Sequence, residues 1–239
     1  MALSISKARF LVIAEEEAST LGEKLIAPKP LFELIHECPA ILSKKKAKEL
    51  SLISNDENAL RRFLKKLLQS YFNKRKARIA LRESQTVPDP AVDTALEAFG
   101  NIPRKDLKVF SKHHRWSMAA ENKVGDLLET YLAEVLEPKG WIWCCGNFIT
   151  GIDFFKPSLD PNKHILLQVK NRSNSENSSS KSIRELVEIR GCPVPVLIWF
   201  RCRATDGRTC WNQLIGNADE SIADEQRFQD FVRKYPLRR

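Results

Sequence analysis

Residues 140–172, GWIWCCGNFITGIDFFKPSLDPNKHILLQVKNR, decide how this chain folds. Side chains alternate between the two faces of a strand, so a strand can be read from its period of two. Trp141–Phe155 predicts a strand, a turn at Gly146-Asn147 and a second strand, and His164–Lys170 predicts a third. In the third strand Gln168 and Lys170 share one face, while Leu167 and Val169 point the other way into the core. A hairpin through 156–163 makes the second and third strands neighbours and carries Asp153 to the same spot. A carboxylate, an amide oxygen and an ammonium then converge.

Those residue types suit phosphodiester cleavage. The reaction needs a divalent cation to neutralise charge on the phosphorane and to lower the pKa of a bound water. Mg²⁺ prefers oxygen ligands and takes few of them from the protein. In that scheme Asp153 is the anionic metal ligand, Gln168 a neutral one, and the Val169 carbonyl a candidate third. Lys170 orients the attacking water and stabilises developing negative charge. Upstream, Glu121, Gly125 and Glu129 are spaced by four on a helix expected from Ser117 to Leu136, so they lie along one face. Either glutamate can complete the site, with Glu129 preferred over Glu121, and Gly125 would let that face pack closely on the strands.

Outward from this stretch the pattern is mixed α/β. A helix is expected at Ser180–Arg190, with the capping-box residues Ser182 and Glu185. A strand follows at Val194–Arg203, and a closing helix at Asp219–Tyr235. The order is therefore α-β-β-β-α-β-α. The front of the chain reads as helical: Leu3–Ile26, stopped by Pro28 and Pro30, then Pro30–His36, Ala40–Leu50 and Asn55–Leu81. The last of these carries an apolar stripe of Leu60, Phe63, Leu64, Leu67 and Leu68. Residues 83–105, with Pro88, Pro90 and Pro103, read as a linker. This divides the chain into a helical N-terminal region and linker at 1–105, serving DNA binding or dimerisation, and a catalytic core at 106–239.

Composition adds direction. The formal net charge is +9, from 39 Lys and Arg against 30 Asp and Glu, which favours a polyanionic partner. The basic run Arg61–Arg82 fits a helix lying along phosphates and fits a solvated helix face equally well. Lys112–Arg115 reads as a basic loop, and Trp199-Phe200-Arg201 as a core strand ending in a surface arginine. No apolar stretch approaches the roughly 20 residues of a membrane helix, and the first residues lack signal-peptide order. A cytoplasmic protein with no membrane contact is expected. Six cysteines include no CxxC pair, and Cys144-Cys145 are adjacent, which points to reduced thiols rather than zinc or disulfides.

Leu166-Leu167-Gln168-Val169-Lys170-Asn171-Arg172, the polar run Asn174–Ser180 and the segment 140–155 together resemble the SinI/AvaII-type group of type II restriction endonucleases. The resemblance covers about residues 117–203. It implies a PD-(D/E)XK, restriction-endonuclease-like core: a mixed β-sheet flanked by helices, here behind an α-helical N-terminal region. It also implies double-stranded DNA as substrate, Mg²⁺ as cofactor, a homodimer cutting a short palindrome (GGWCC for this group) and a cognate DNA methyltransferase encoded nearby. Carried over, Asp153 is the motif aspartate, Gln168 fills the acidic position and Lys170 is the motif lysine. Gln168 removes one negative charge from the metal site, so a helix glutamate gains weight. The segment after the catalytic strand reads as the DNA reader, through Arg172, Asn174, Asn177, Ser178 and Arg184. Two other readings compete: an Mrr-like or repair-type PD-(D/E)XK nuclease, and a DNA-binding protein without catalysis.

Overall fold

Ser6 starts the first helix by accepting a hydrogen bond from the Arg9 N–H, satisfying one of the donors that a helix N-terminus leaves open. Helix α1 (Lys7–Thr20) ends where Gly22 takes φ +72° and the Glu23 N–H reaches back to the Ala18 carbonyl. This glycine stop comes before the expected end at Ile26, because a left-handed residue closes the last turn without waiting for a proline. Next come α2 (Lys29–Glu37), a 3₁₀ turn at Pro39–Ile41, α3 (Lys44–Ile53) and α4 (Glu57–Lys76). The side chains of Ser43 and Asp56 cap α3 and α4. The expected apolar stripe of α4 is buried throughout, from Leu60 to Leu68, and packs against α1. The computed structural model describes residues 3–83, 87, 89–146, 148–160, 163–172, 196–203, 205–214 and 222–237.

The expected linker contains a helix. In α5 (Pro90–Gly100) the Asp89 side chain accepts from the Ala91 N–H and proline sits at the first helical position, a strong start signal. Asn101, at φ +50°, ends it. The next helix also begins earlier than expected: α6 (Leu107–Leu136) is a single helix of 30 residues. Ser117 lies inside it and caps nothing, and Lys112–Arg115 is helical rather than a loop. No glycine or proline falls between Pro103 and Gly125, so nothing halts propagation once the helix has started.

Among the described residues the sheet has four strands, in the order β1 (Ile142–Trp143), β2 (Phe154–Lys156), β3 (Ile165–Arg172) and β4 (Val196–Cys202). The first two pairings are antiparallel and β3–β4 is parallel, with Phe154 opposite Leu167 and Leu167 opposite Leu197. The expected hairpin between β2 and β3 is present. The first two strands are shorter than expected, because Gly146 and residues 149–150 bond to the N-terminal helices and the turn between them instead. Ser70 donates its hydroxyl to the Gly146 carbonyl, Ile149 bridges to Leu42, and the Thr150 N–H bonds the Ile41 carbonyl at 3.1 Å. The final helix α7 (Glu225–Lys234), capped by Asp224, starts later than the expected Asp219, and a 3₁₀ turn at Tyr235–Leu237 follows it. The helix expected at 180–190 lies outside the described residues.

One continuous core joins these parts: Phe10, Leu64, Phe148, Phe154, Leu167 and Phe228 belong to the same buried cluster. The architecture is the expected mixed α/β sheet flanked by helices behind a helical front. Among the described residues no helix is long and apolar enough to cross a membrane. Among the described residues Cys38, Cys144, Cys145, Cys202 and Cys210 form no disulfide. Gly125 does not serve the expected close packing, since a Cβ there would meet nothing within 4 Å.

Gly146 is where the front and the sheet are held together. Its φ is +98°, and a Cβ would stand 2.8 Å from the backbone of Ser70 and Tyr71. Gly146→Ala is expected to destabilise the fold by roughly 2–4 kcal/mol through combined strain and overlap, measured by urea denaturation.

Candidate active site

Asp153 immediately precedes β2 and is held by the backbone on both sides. Its N–H donates to the Leu167 carbonyl at 2.9 Å, and its carbonyl accepts from the Cys144 N–H at 2.8 Å. Its carboxylate accepts the Val169 N–H at 2.7 Å. Continuing the β2–β3 register one step past Phe154–Leu167 sets Asp153 opposite Gln168. The side chain of Gln168 is buried at 5% exposure, and among the described residues its Oε1 has no hydrogen-bond partner. Lys170, two residues on along β3, is half-buried.

The glutamate that joins them comes from α6. Glu129 accepts a hydrogen bond from the Trp143 indole N–H at 3.3 Å, so a residue of β1 also positions the helix carboxylate. Burial raises the Glu129 pKa, and the Trp143 bond and the Lys74 charge work against that rise. Burial and then the charge of Glu129 push the Asp153 carboxyl up to about 7, opposed by the Val169 N–H and by Lys170. The Lys170 ammonium is pulled down by burial and supported by Asp153. Glu121 is exposed, and eight residues of helix put it about 12 Å from Glu129 along the axis.

Arg172 ends β3 and is exposed. Asn174, Asn177, Ser178 and Arg184 lie outside the described residues. Several residues around the site went unread in the sequence. Trp143 is one; its available signal was that a buried indole N–H must find an acceptor. Asp126 is another, bonded to Lys74 at 3.1 Å and to Lys123 at 3.0 Å beside Glu129. Arg201 is not the expected surface arginine. Its side chain is 13% exposed, bonds both Glu225 oxygens at 2.7 and 2.8 Å, and donates to the Asn171 side chain at 2.8 Å. Asn171 is therefore engaged in the fold, at the start of the segment expected to read DNA.

The donor set suits a hard cation. Burial raises the pKa of both carboxyls and Glu129 raises that of Asp153 further, while a buried amide oxygen on the facing strand has no donor among the described residues. An oxygen-coordinating divalent ion relieves both conditions. Among the described residues no three of His, Cys, Asp and Glu come together as a metal cluster, so any such ion would draw on the amide as well as the acids.

The chain matches the family profile described as SinI restriction endonuclease over residues 11–237. It is 35% identical over 225 residues to the type II restriction enzyme Eco47I of Escherichia coli, covering 93% of this chain and 92% of that one. It is 41% identical over 150 residues to the type II restriction enzyme SinI of Salmonella infantis, covering 63% and 62% respectively.

The carboxyls give a pH signature. Asp153 holds its proton more tightly folded than unfolded, so its contribution to stability is complete below about pH 4. It is lost as the pH rises through about 7. Asp153→Asn keeps an acceptor for the Val169 N–H and removes the charge. In chelator at about pH 8 the variant should be more stable than the parent by on the order of 2 kcal/mol, with the gain vanishing near pH 4. Thermal melts at the two pH values measure this, and a variant less stable at the higher pH would contradict it.

Proposed function

The chain belongs to the SinI restriction endonuclease family and is a type II site-specific deoxyribonuclease, and we propose that it cuts double-stranded DNA at GGWCC with Mg²⁺ held by Asp153, Glu129 and Gln168. The observation that carries the site assignment is the buried, unpartnered Gln168 Oε1 opposite Asp153, with Glu129 near enough to raise the Asp153 pKa. When bound, the ion supplies charge neutralisation at the phosphate and a more acidic water. Asp153 and Glu129 carry the two negative charges that match a dication. Gln168 contributes an oxygen without a third charge. Lys170, kept cationic by Asp153 against its burial, orients the attacking water and stabilises charge on the phosphorane.

Family membership decides against the Mrr-like or repair-type and non-catalytic readings. Within the proposal, residues 106–239 form the catalytic core. Arg172, Asn174, Asn177, Ser178 and Arg184 contact bases and phosphates beyond the catalytic strand. The enzyme acts in the cytoplasm, where a cognate methyltransferase protects host DNA.

Lys170→Ala is expected to abolish Mg²⁺-dependent plasmid cleavage while leaving DNA binding intact. Cutting at the parental rate would remove Lys170 from the mechanism. Sequencing the ends left by the parent enzyme tests the target, and ends away from GGWCC would replace it.

GGWCC reads alike on both strands, so a homodimer related by a twofold axis would deliver one active site to each strand. Helix α5 supports self-association. None of its residues is buried, and Ala91, Val92, Ala95, Ala98 and Phe99 form an exposed apolar stripe at helical spacing. An 11-residue helix is marginal in water without packing. Acidic Asp93 and Glu97 on α5 complement Lys108 and Lys112 at the front of α6, so two copies of this surface can pair charge to charge. Phe99→Glu should shift the protein from dimer to monomer in light scattering; an unchanged mass would place the interface elsewhere.

A further inference from the structure

The basic run from Arg61 to Arg82 holds nine Lys and Arg residues, and the fold divides them. Arg61 pairs with Glu16, Glu17 and Glu57; Lys74 with Asp126; Arg75 with Glu137; and Lys76 with Glu23. These four cations are spent on holding α4 against α1, α6 and the loops. Beyond Lys76 the helix ends and the chain runs on through 77–83 without helical structure, its Ile79 N–H bonded to the Tyr235 hydroxyl at 3.3 Å.

Side chains of an extended segment alternate, and here the alternation separates two chemistries. Ile79 and Leu81 line an apolar groove with Val124, Leu127 and Tyr235. Arg78 and Arg82 line a different cavity of about 430 Å³ together with Ala80, Ala119, Asn122 and Lys123. Among the described residues neither arginine has an acidic partner, while Lys123 is tied to Asp126. Asn122, Asp126 and Glu129 follow one another at helical spacing on the same face of α6. The cavity therefore sits about 10 Å from Glu129 along the helix, roughly three nucleotide steps of one strand.

We propose that Arg78 and Arg82, with Asn122, form a binding site for backbone phosphates of the DNA flanking the scissile bond. Two guanidinium groups and an amide supply the donors that phosphate oxygens accept. The pinned backbone of 77–83 holds both arginines at one fixed offset from α6. The site thus sets the register of the duplex while carrying no sequence information. Its distance from the cut rests on Glu129 belonging to the catalytic centre; its phosphate chemistry does not.

The test uses the full chain, the double variant Arg78→Gln/Arg82→Gln, and labelled duplexes of about 20 base pairs with and without GGWCC. Binding is followed by fluorescence anisotropy in chelator between about 50 and 200 mM salt. The slope of log affinity against log salt should become shallower by about 2 for the double variant and about 1 for either single variant. Both duplexes should weaken by the same factor. Arg75→Gln, which loses the Glu137 pair, should lower the melting temperature and leave the slope unchanged. An unchanged slope in a double variant with the parental circular dichroism overturns the proposal, as does a loss confined to the duplex bearing GGWCC. Should the double variant fail to fold, the two single variants at these exposed positions decide. If the parent does not distinguish the two duplexes, the target assignment fails while the salt slopes still report on the arginines.

Discussion

Two carboxylates, Asp153 and Glu129, are brought together in surroundings that penalise both charges, and most of the architecture serves to keep them there. Asp153 cannot retreat, because its own peptide is bonded to Cys144, just after β1, and to Leu167 in β3, and its carboxylate holds the Val169 N–H. Glu129 cannot retreat either, held by Trp143 on a helix of 30 residues. Such pairs are tolerated where another interaction compensates, and the buried, donor-less oxygen of Gln168 marks the direction from which compensation comes. A glutamate in place of Gln168 would add a third charge to a site that already strains to hold two.

Dependence on this pair extends into the helical front. The loop between β1 and β2 gives up strand pairing with its own sheet to bond Ser70, Ile41 and Leu42. Lys74 at the end of α4 reaches Asp126, one turn before Glu129 on α6. Arg75 pairs with Glu137 and sits over the rings of Tyr71 and Trp143, the same indole that holds Glu129. The N-terminal helices and the sheet consequently share one core.

The neighbourhood of the candidate site is legible in the sequence because it rests on short-range rules. The period of two in Leu167–Lys170 and the hairpin length between β2 and β3 suffice to bring Asp153 opposite Gln168. Spacing by four on α6 names Glu121 and Glu129 together and ranks Glu129 first, but the reason for that order, the Trp143 indole bonded to Glu129, is a tertiary fact. The length of α6 was underestimated because Ser117 is an apt cap at a place where the chain was already helical. Helix α5 was missed among prolines, although Asp89-Pro90 is itself a helix start. Arg201 was read as a surface residue because its acidic partner, Glu225, lies 24 positions away.

That last contact has a practical side. Arg201 joins Glu225 at the head of the final helix to Asn171, the residue directly after Lys170, and Trp211 donates to the same glutamate at 2.9 Å. The end of β3 is thus braced by the C-terminal helix. Anyone shortening this protein, splitting it for complementation or circularly permuting it would find residues 225–234 a poor place to cut, because the break would be transmitted through one guanidinium to the strand that bears Gln168 and Lys170.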